Sequence, residues 1–447
     1  MADYRDLRIS VIGAGMGGLA SALCFARKGF KHIDVYETAS NLGFVGAGIQ
    51  LAPNMLRILD RLGCWEGSQL QREATTVRET KIVDGPTNSE LVQVDLSDVE
   101  DKYGYPHCTG HRASLAGGLY EACQKEPAVT FHFATSLVRI DSFGPGRPKI
   151  TVKARDGDDK TLETDVLIGA DGIKSVSRYA MLRELKIDAE VEDTGQAAYR
   201  IMLDRDKMEP FPELLALLDA KCAMRWIGEK RHIVAYPISG HTIYNISTCQ
   251  PDTNFAATTN ASYTTKGDKT AMKKVYDDFC PLVQQMLDMV PDGEVCEWRL
   301  RSHEPLSQWT LGSVALLGDA CHPTLPHMAQ GAAMAIEDAA VLAEVVSLTP
   351  GGGSDPEALA KSLRVYELLR KETTWMRVEM AAYSGRTLHL GEGKAKEERN
   401  KQFAMAREKG APVPDKWASP EVQQAIYSHD CMKEAVQKFP ELYNSLT

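Results

Sequence analysis

The chain has 447 residues, 43% of them hydrophobic and 25% charged, with a formal net charge of −10. That length allows a large core and two domains, and the acidic balance argues against a nucleic-acid binder. No apolar run is long enough to cross a membrane, and the opening MADYRDLRIS lacks the basic and apolar regions of a signal peptide.

The ten cysteines form no C-x-x-C pair, so neither a metal site nor a redox dithiol is signalled. A reducing, cytoplasmic setting is expected.

RISVIGAGMGGLASALCFARKG, from residue 8, reads as strand, tight turn and helix, and HIDVYE at 32–37 as the next strand. This is a βαβ unit. Gly13, Gly15 and Gly18 stand at the glycine positions of G-x-G-x-x-G, and Glu37 ends the second strand. The first glycine permits the turn, the second lets backbone approach a pyrophosphate, and the third lets helix and strand pack closely. The helix start adds unpaired N–H groups and a positive dipole end. Glu37 can accept hydrogen bonds from ribose hydroxyls. This loop alone does not decide between NAD and FAD.

Further along, 54–63 reads as an amphipathic helix, 114–124 as another, and TDVLIGADG at 164–172 as a strand running into a glycine turn with Asp171. From about 175 to 300, segments such as HIVAYPI and TIYNIST alternate like half-buried strands of a mostly antiparallel sheet. SVALLGDA at 313–320 returns to a short buried strand. A long helix is expected at 357–384, and the remaining tail is charged and helical by composition.

The stretch LLGDACHPTLPHMAQGAAMAIEDAA, 316–340, repeats the design of the first loop. Asp319 follows a strand and can accept from a ribityl or ribose hydroxyl. Gly331 opens a helix whose free N–H groups suit the negative charge that a reduced flavin gathers at its pyrimidine edge. FAD is long enough to need two grips, and the chain supplies two.

With these motifs in order, and with Gly169-Ala170-Asp171-Gly172 between them, the chain resembles the single-component FAD-dependent aromatic hydroxylases, of the salicylate and hydroxybenzoate hydroxylase kind. The resemblance spans roughly residues 8 to 385. It implies an α/β fold: a Rossmann-type FAD-binding domain (1–180 and 300–385, with sheet segments near 70–110 facing substrate), an inserted, mostly antiparallel β-sheet substrate domain (181–299) and a C-terminal helical tail (386–447). It implies FAD as cofactor, NADH or NADPH as a transient co-substrate, dioxygen, and a small aromatic substrate, in a monomer or homodimer. The reaction implied is ring hydroxylation by a flavin C4a-hydroperoxide, with or without decarboxylation. The resemblance places Glu37 at the adenosine ribose, Arg112 near the pyrophosphate or ribityl, Asp171 in a motif serving FAD and NAD(P)H, and Asp319 at the ribityl chain. It places Pro326 by the reactive edge of the flavin and Gly331 and Ala332 at its pyrimidine edge. Ala333 stands where the family often has Asn, so backbone N–H groups must do that work.

Hydroxylation needs an electron-rich ring, usually a phenolate, and therefore a base. On a strand, His232, Val234 and Tyr236 share one face. His232, with a pKa near neutral, can take the phenol proton, and Tyr236 can hydrogen-bond the oxygen. Arg200 can pair a carboxylate or hold the flavin. Gln330 and His327 are expected to face substrate, and Met224 and Trp226 to wall the pocket. His322 is expected to be structural. The competing readings are a tailoring or dearomatising hydroxylase of secondary metabolism, an FAD-linked reductase that does not activate oxygen, and a flavin-binding protein without turnover.

Overall fold

The computed structural model describes residues 3–43, 46–144, 146–188, 190–253 and 264–446. One six-stranded sheet runs, edge to edge, Thr310–Leu311, Val314–Leu316, Val166–Gly169, Arg8–Ile12, His32–Tyr36 and Val129–His132, parallel except for the first strand. Ile9, Val11, Ile33 and Val35 bury one face, Ile12 and Tyr36 are buried on the other, and the run 166–168 is buried on both. That is the pattern of a parallel sheet covered on both sides. The helices Met16–Arg27, Arg112–Gln124 and Gly331–Ser347 join its core. The first begins directly after Gly15, so the glycine turn itself is its N-terminus.

The second large sheet has eight strands: Thr264–Lys266, Cys296–Ser302, Glu192–Asp204, Ile243–Pro251, Arg231–Ile238, Cys222–Gly228, Glu79–Asp84 and Glu90–Asp95. It is antiparallel apart from the pairing of Cys222–Gly228 with Glu79–Asp84. One face buries Trp226, Ile233, Ala235, Tyr244 and Ile246 against the short helices Pro212–Asp219, Lys269–Val275 and Pro281–Asp288. The other face is polar in part and looks towards the parallel sheet.

A 33-residue helix, Pro356–Leu388, then runs alongside, and Lys394–Lys409, Pro420–Tyr427 and Cys431–Ser445 form the tail. The tail is part of the core: Phe403, Trp417, Ile426 and Tyr427 pack with Ile227, Tyr236 and Ile238 of the large sheet. No described helix is long and apolar enough to cross a membrane.

Candidate active site

Between the two sheets lies a cavity of about 390 Å³. The two loops read from the sequence border it together: Gly15, Met16 and Gly17 on one side, Gly318, Asp319, Gly331 and Ala332 on the other. Gly13 has φ +96°, and a Cβ there would meet the carbonyl of Ala170 at 2.7 Å. A Cβ on Gly18 would collide with the carbonyl oxygen of Gly13, so this glycine sets the strand–helix packing. A Cβ on Gly15 would meet no protein atom within 4 Å. Packing does not explain that glycine; space reserved for a ligand does.

Both helices that begin here are uncapped. Gly15 and Gln330 are the N-cap residues, neither gives a side-chain cap, and neither first turn holds an acid. Two sets of backbone N–H groups and two positive dipole ends therefore converge on one cavity. Arg112 and Asp319 border it and attract each other; burial lowers the pKa of the first and raises that of the second. Asp319 is nonetheless accessible, because its carboxylate opens onto the cavity itself. Gln50, also in the wall, has a buried Oε1 with no hydrogen-bond partner among the described residues.

Glu37 braces the first loop. Its carboxylate accepts from the backbone N–H groups of Ala14 and Ala39, both at 2.8 Å, which leaves further lone pairs for a ribose. Asp171 is spent differently. It accepts from Ser175 Oγ at 2.5 Å and from the Ser177 amide at 2.9 Å, locking the turn into the helix Val176–Leu185. Its neighbours Ala170 and Gly172 line the cavity instead.

On the large sheet, register decides which side chains meet the cavity. Arg200 lies opposite Ser247, Ser247 opposite Val234, and Val234 opposite Arg225. Directly opposed residues share a face, so these four form a row across four strands, and all four line the cavity with His232 and Tyr236. Met224 and Trp226 pair with Ala235 and Ile233 on the other face. The expectation that they wall the pocket is corrected: Trp226 is core, its indole N–H donating to Asn88 at 2.8 Å. The residue between them, Arg225, is the one that reaches the cavity. The parity of the hairpin between the two strands was the signal available for it.

Arg225 is buried, bonded to Asp415 at 3.3 Å and to the His327 carbonyl at 3.3 Å, with Trp417 stacked near its guanidinium. The tail thus supplies the counter-charge of a cavity residue. Arg200 lies over the Trp298 ring at 4.5 Å and has no carboxylate within ion-pair distance among the described residues. Burial and neighbouring Arg112 bring its pKa down to about 10.

His232 Nδ1 lies 2.6 Å from Nε2 of His389, the residue that ends the long helix. The His327 ring packs against both, at 5.3 and 5.6 Å between centroids. His327 does not border the main cavity; it sits behind His232 on a second one, which corrects its placement beside the substrate. Burial, with His389, His327 and Arg225 nearby, lowers the His232 pKa well below the ordinary value. The near-neutral value expected of a simple base is therefore not what this environment provides. Burial likewise raises the Tyr236 phenol.

Pro326 and Gln330 border the cavity, and Gln330 accepts from Asn54 at 3.0 Å. His322 is structural: its Nε2 meets Asp338, which also accepts from the Gly318 amide and from Arg370. This buried network fixes the second loop from behind.

A family model described as "FAD binding domain" matches residues 6–378. The chain belongs to this FAD-binding family. It is 31% identical over 385 residues to a 3-hydroxybenzoate 6-hydroxylase of Polaromonas naphthalenivorans, covering 86% of this chain and 88% of that one. It is 33% identical over 389 residues to a 6-hydroxynicotinate 3-monooxygenase of Bordetella bronchiseptica, covering 86% and 93%. Among solved structures, a salicylate hydroxylase in a substrate complex superposes with a TM-score of 0.76 at 21% identity, over 98% of each chain, a likeness of fold. The chain is a flavoprotein monooxygenase of the aromatic hydroxylase class, and its cofactor is FAD. The cavity fits that cofactor on its own evidence: the reserved space at Gly15, two uncapped helix starts and the Arg112–Asp319 pair.

Proposed function

We propose that the protein hydroxylates a small aromatic ring bearing both a hydroxyl and a carboxylate, using NADH or NADPH and dioxygen in the cytoplasm. The observation that carries this is Arg200: an unneutralised cation on the same sheet face as His232 and Tyr236. The relatives named above act on hydroxylated ring carboxylates, which supports the reading.

In this reading the loop of Gly13, Gly15 and Gly18, with Arg112, holds the FAD diphosphate, and Glu37 holds the adenosine ribose. Asp319 takes the ribityl chain, and the N–H groups at Gly331 and Ala332 take the pyrimidine edge. Asp171 shapes the turn beside them. When bound, FAD supplies the means to activate dioxygen for transfer to the ring. The chain's own residues do the rest. Arg200 holds the substrate carboxylate, His232 removes the phenol proton, and Tyr236 hydrogen-bonds the resulting oxygen. Pro326 and Gln330 close the far wall and exclude water.

The test is NADH and NADPH oxidation by the FAD-loaded protein with a panel of hydroxybenzoates, followed by product mass. Substrate-stimulated oxidation and a product with one added oxygen, with or without loss of carbon dioxide, is expected. His232→Ala and Tyr236→Phe should lower that rate by about 10²–10⁴-fold and 10-fold or more while FAD content holds. Oxidation yielding only peroxide across the panel, or full activity in both variants, overturns the reading.

A further inference from the structure

We propose that His389 is a positioning residue for the reaction, the outer half of a two-histidine relay that carries the phenol proton from the cavity to solvent. The relay rests on the phenol reading above.

His232 lines the main cavity, and its Nδ1 is taken by His389 at 2.6 Å, so Nε2 is the nitrogen left for a ligand. His389 lines the second cavity, whose rim includes the exposed Lys230 and Arg386. The two cavities therefore meet at one hydrogen bond. That bond is held in place from the backbone on both sides: the His389 amide donates to Gly385, and its carbonyl accepts from the Lys230 amide at 2.9 Å. His389 is the C-cap residue of the long helix.

A relay resolves a conflict in the site. His232 is buried among groups that oppose a positive charge. Arg225 faces it from the neighbouring strand, His327 from the second loop and His389 from the long helix. Arg399 adds its charge to His389 from the tail. Cys249, opposite His232 on the adjacent strand, is a neutral thiol whose pKa burial pushes up to about 12, and Asp415 is engaged with Arg225. A lone histidine here would be a poor store for a proton. A pair need not store one. With Nδ1–H of His232 donating to Nε2 of His389, the phenol O–H bond breaks as Nε2–H forms on His232. His232 Nδ1–H passes its proton to His389 Nε2, and His389 Nδ1–H releases one to water in the second cavity. One proton enters, one leaves, and no net charge remains on either ring. When the hydroxylated product takes a proton back, the same steps run in reverse and restore both tautomers. His327, whose two ring nitrogens are buried without hydrogen-bond partners among the described residues, packs on the pair and takes no part in the transfer.

The experiment follows the absorbance of the bound phenol as it ionises, by rapid mixing of substrate with the FAD-loaded protein, without reductant. The native protein should form phenolate quickly and independently of buffer. His389→Leu should bind substrate with similar affinity but ionise it about 10–100-fold more slowly. Added imidazole, entering the second cavity, should restore most of the rate, which a merely structural role would not allow. If His389→Leu loses FAD, His389→Gln serves instead; it can still hydrogen-bond His232 but cannot relay a proton. An unchanged rate in the variant, or a slow rate indifferent to imidazole, overturns the relay while leaving the phenol reading in place. Absence of any phenolate in the native protein across the panel overturns both.

Discussion

Arg200 and Arg225 stand at the two ends of one cross-strand row, yet their surroundings give them opposite tasks. Arg225 already has Asp415 and the His327 carbonyl, so it is a buried structural cation whose partner comes from 190 residues away. Arg200 lies over the face of Trp298 and near Arg112, with no carboxylate counter-ion within ion-pair distance among the described residues, and burial first, then Arg112, lowers its pKa. A substrate carboxylate supplies that counter-ion. Arg200→Met should raise KM for a hydroxybenzoate by about 10–150-fold, the worth of a charge-assisted hydrogen bond, with a smaller change for a phenol that has no carboxylate. Arg200→Lys should recover little, because a point charge lacks the planar fork that grips a carboxylate. Equal losses for both substrates in steady-state kinetics would instead place Arg200 at the flavin. His232, Tyr236 and Arg200 were legible as candidates because strand alternation is local. Arg225 was not, since its facing depends on how one strand pairs with the next, and Asp415 carried no local signal at all.

The two helices that start at the cavity show what spacing can and cannot convey. G-x-G-x-x-G in a strand–turn–helix context specified three glycines with three different reasons, and the structure separates them by what a Cβ would touch. Gly18→Ala should destabilise the whole protein, because the new methyl would collide with the Gly13 carbonyl oxygen, which is backbone and cannot swing aside. Gly15→Ala should leave the thermal unfolding of the FAD-free protein nearly unchanged, since its methyl meets nothing, yet should weaken FAD binding at least 10-fold by filling space the diphosphate needs. Fluorescence titration with FAD and calorimetry of the FAD-free proteins read the two effects apart. If Gly15→Ala binds FAD normally, the loop is a structural turn and the diphosphate lies elsewhere. The second loop was legible as a helix start after an acid. Its rear bracing was not: Asp338 ties Gly318 and His322 of that loop to Arg370 of the long helix. Asp171 shows the converse limit, for its motif was plain while the use of its carboxylate, on its own turn, depended on the local geometry.

At the scale of the whole molecule, the notable titratable population is histidine buried in the neutral form. Burial brings His107 and His303 to about 4, His327 to about 3 and His389 to about 4, and His232 falls well below its ordinary value. In the unfolded chain each returns to about 6.5. Between pH 6.5 and about 4 the unfolded chain therefore binds protons that the folded chain refuses, and stability must rise with pH across that window. Each such histidine contributes up to about 1.4 kcal/mol per pH unit. The buried carboxylates act later. Burial pushes Glu337 and Asp338 up, but Arg377 and Arg370 hold the first at about 2, and His322 and Arg370 hold the second there. Their contribution is present above the ordinary carboxylate range and is lost only as the pH falls towards 2. Acid should thus weaken the protein in two stages, histidines first. Urea unfolding of the FAD-free protein should show a midpoint that falls steadily from pH 6.5 to 4.5, before the carboxylates titrate. His107 offers a clean control, because it packs against Tyr427 and Trp417 of the tail, outside the relay. His107→Gln should lower the number of protons taken up on unfolding by about one in that range, whatever it does to stability at pH 8. A midpoint that stays flat from pH 7 to 5 would mean that the folded protein protonates these rings after all, and that water reaches them in solution.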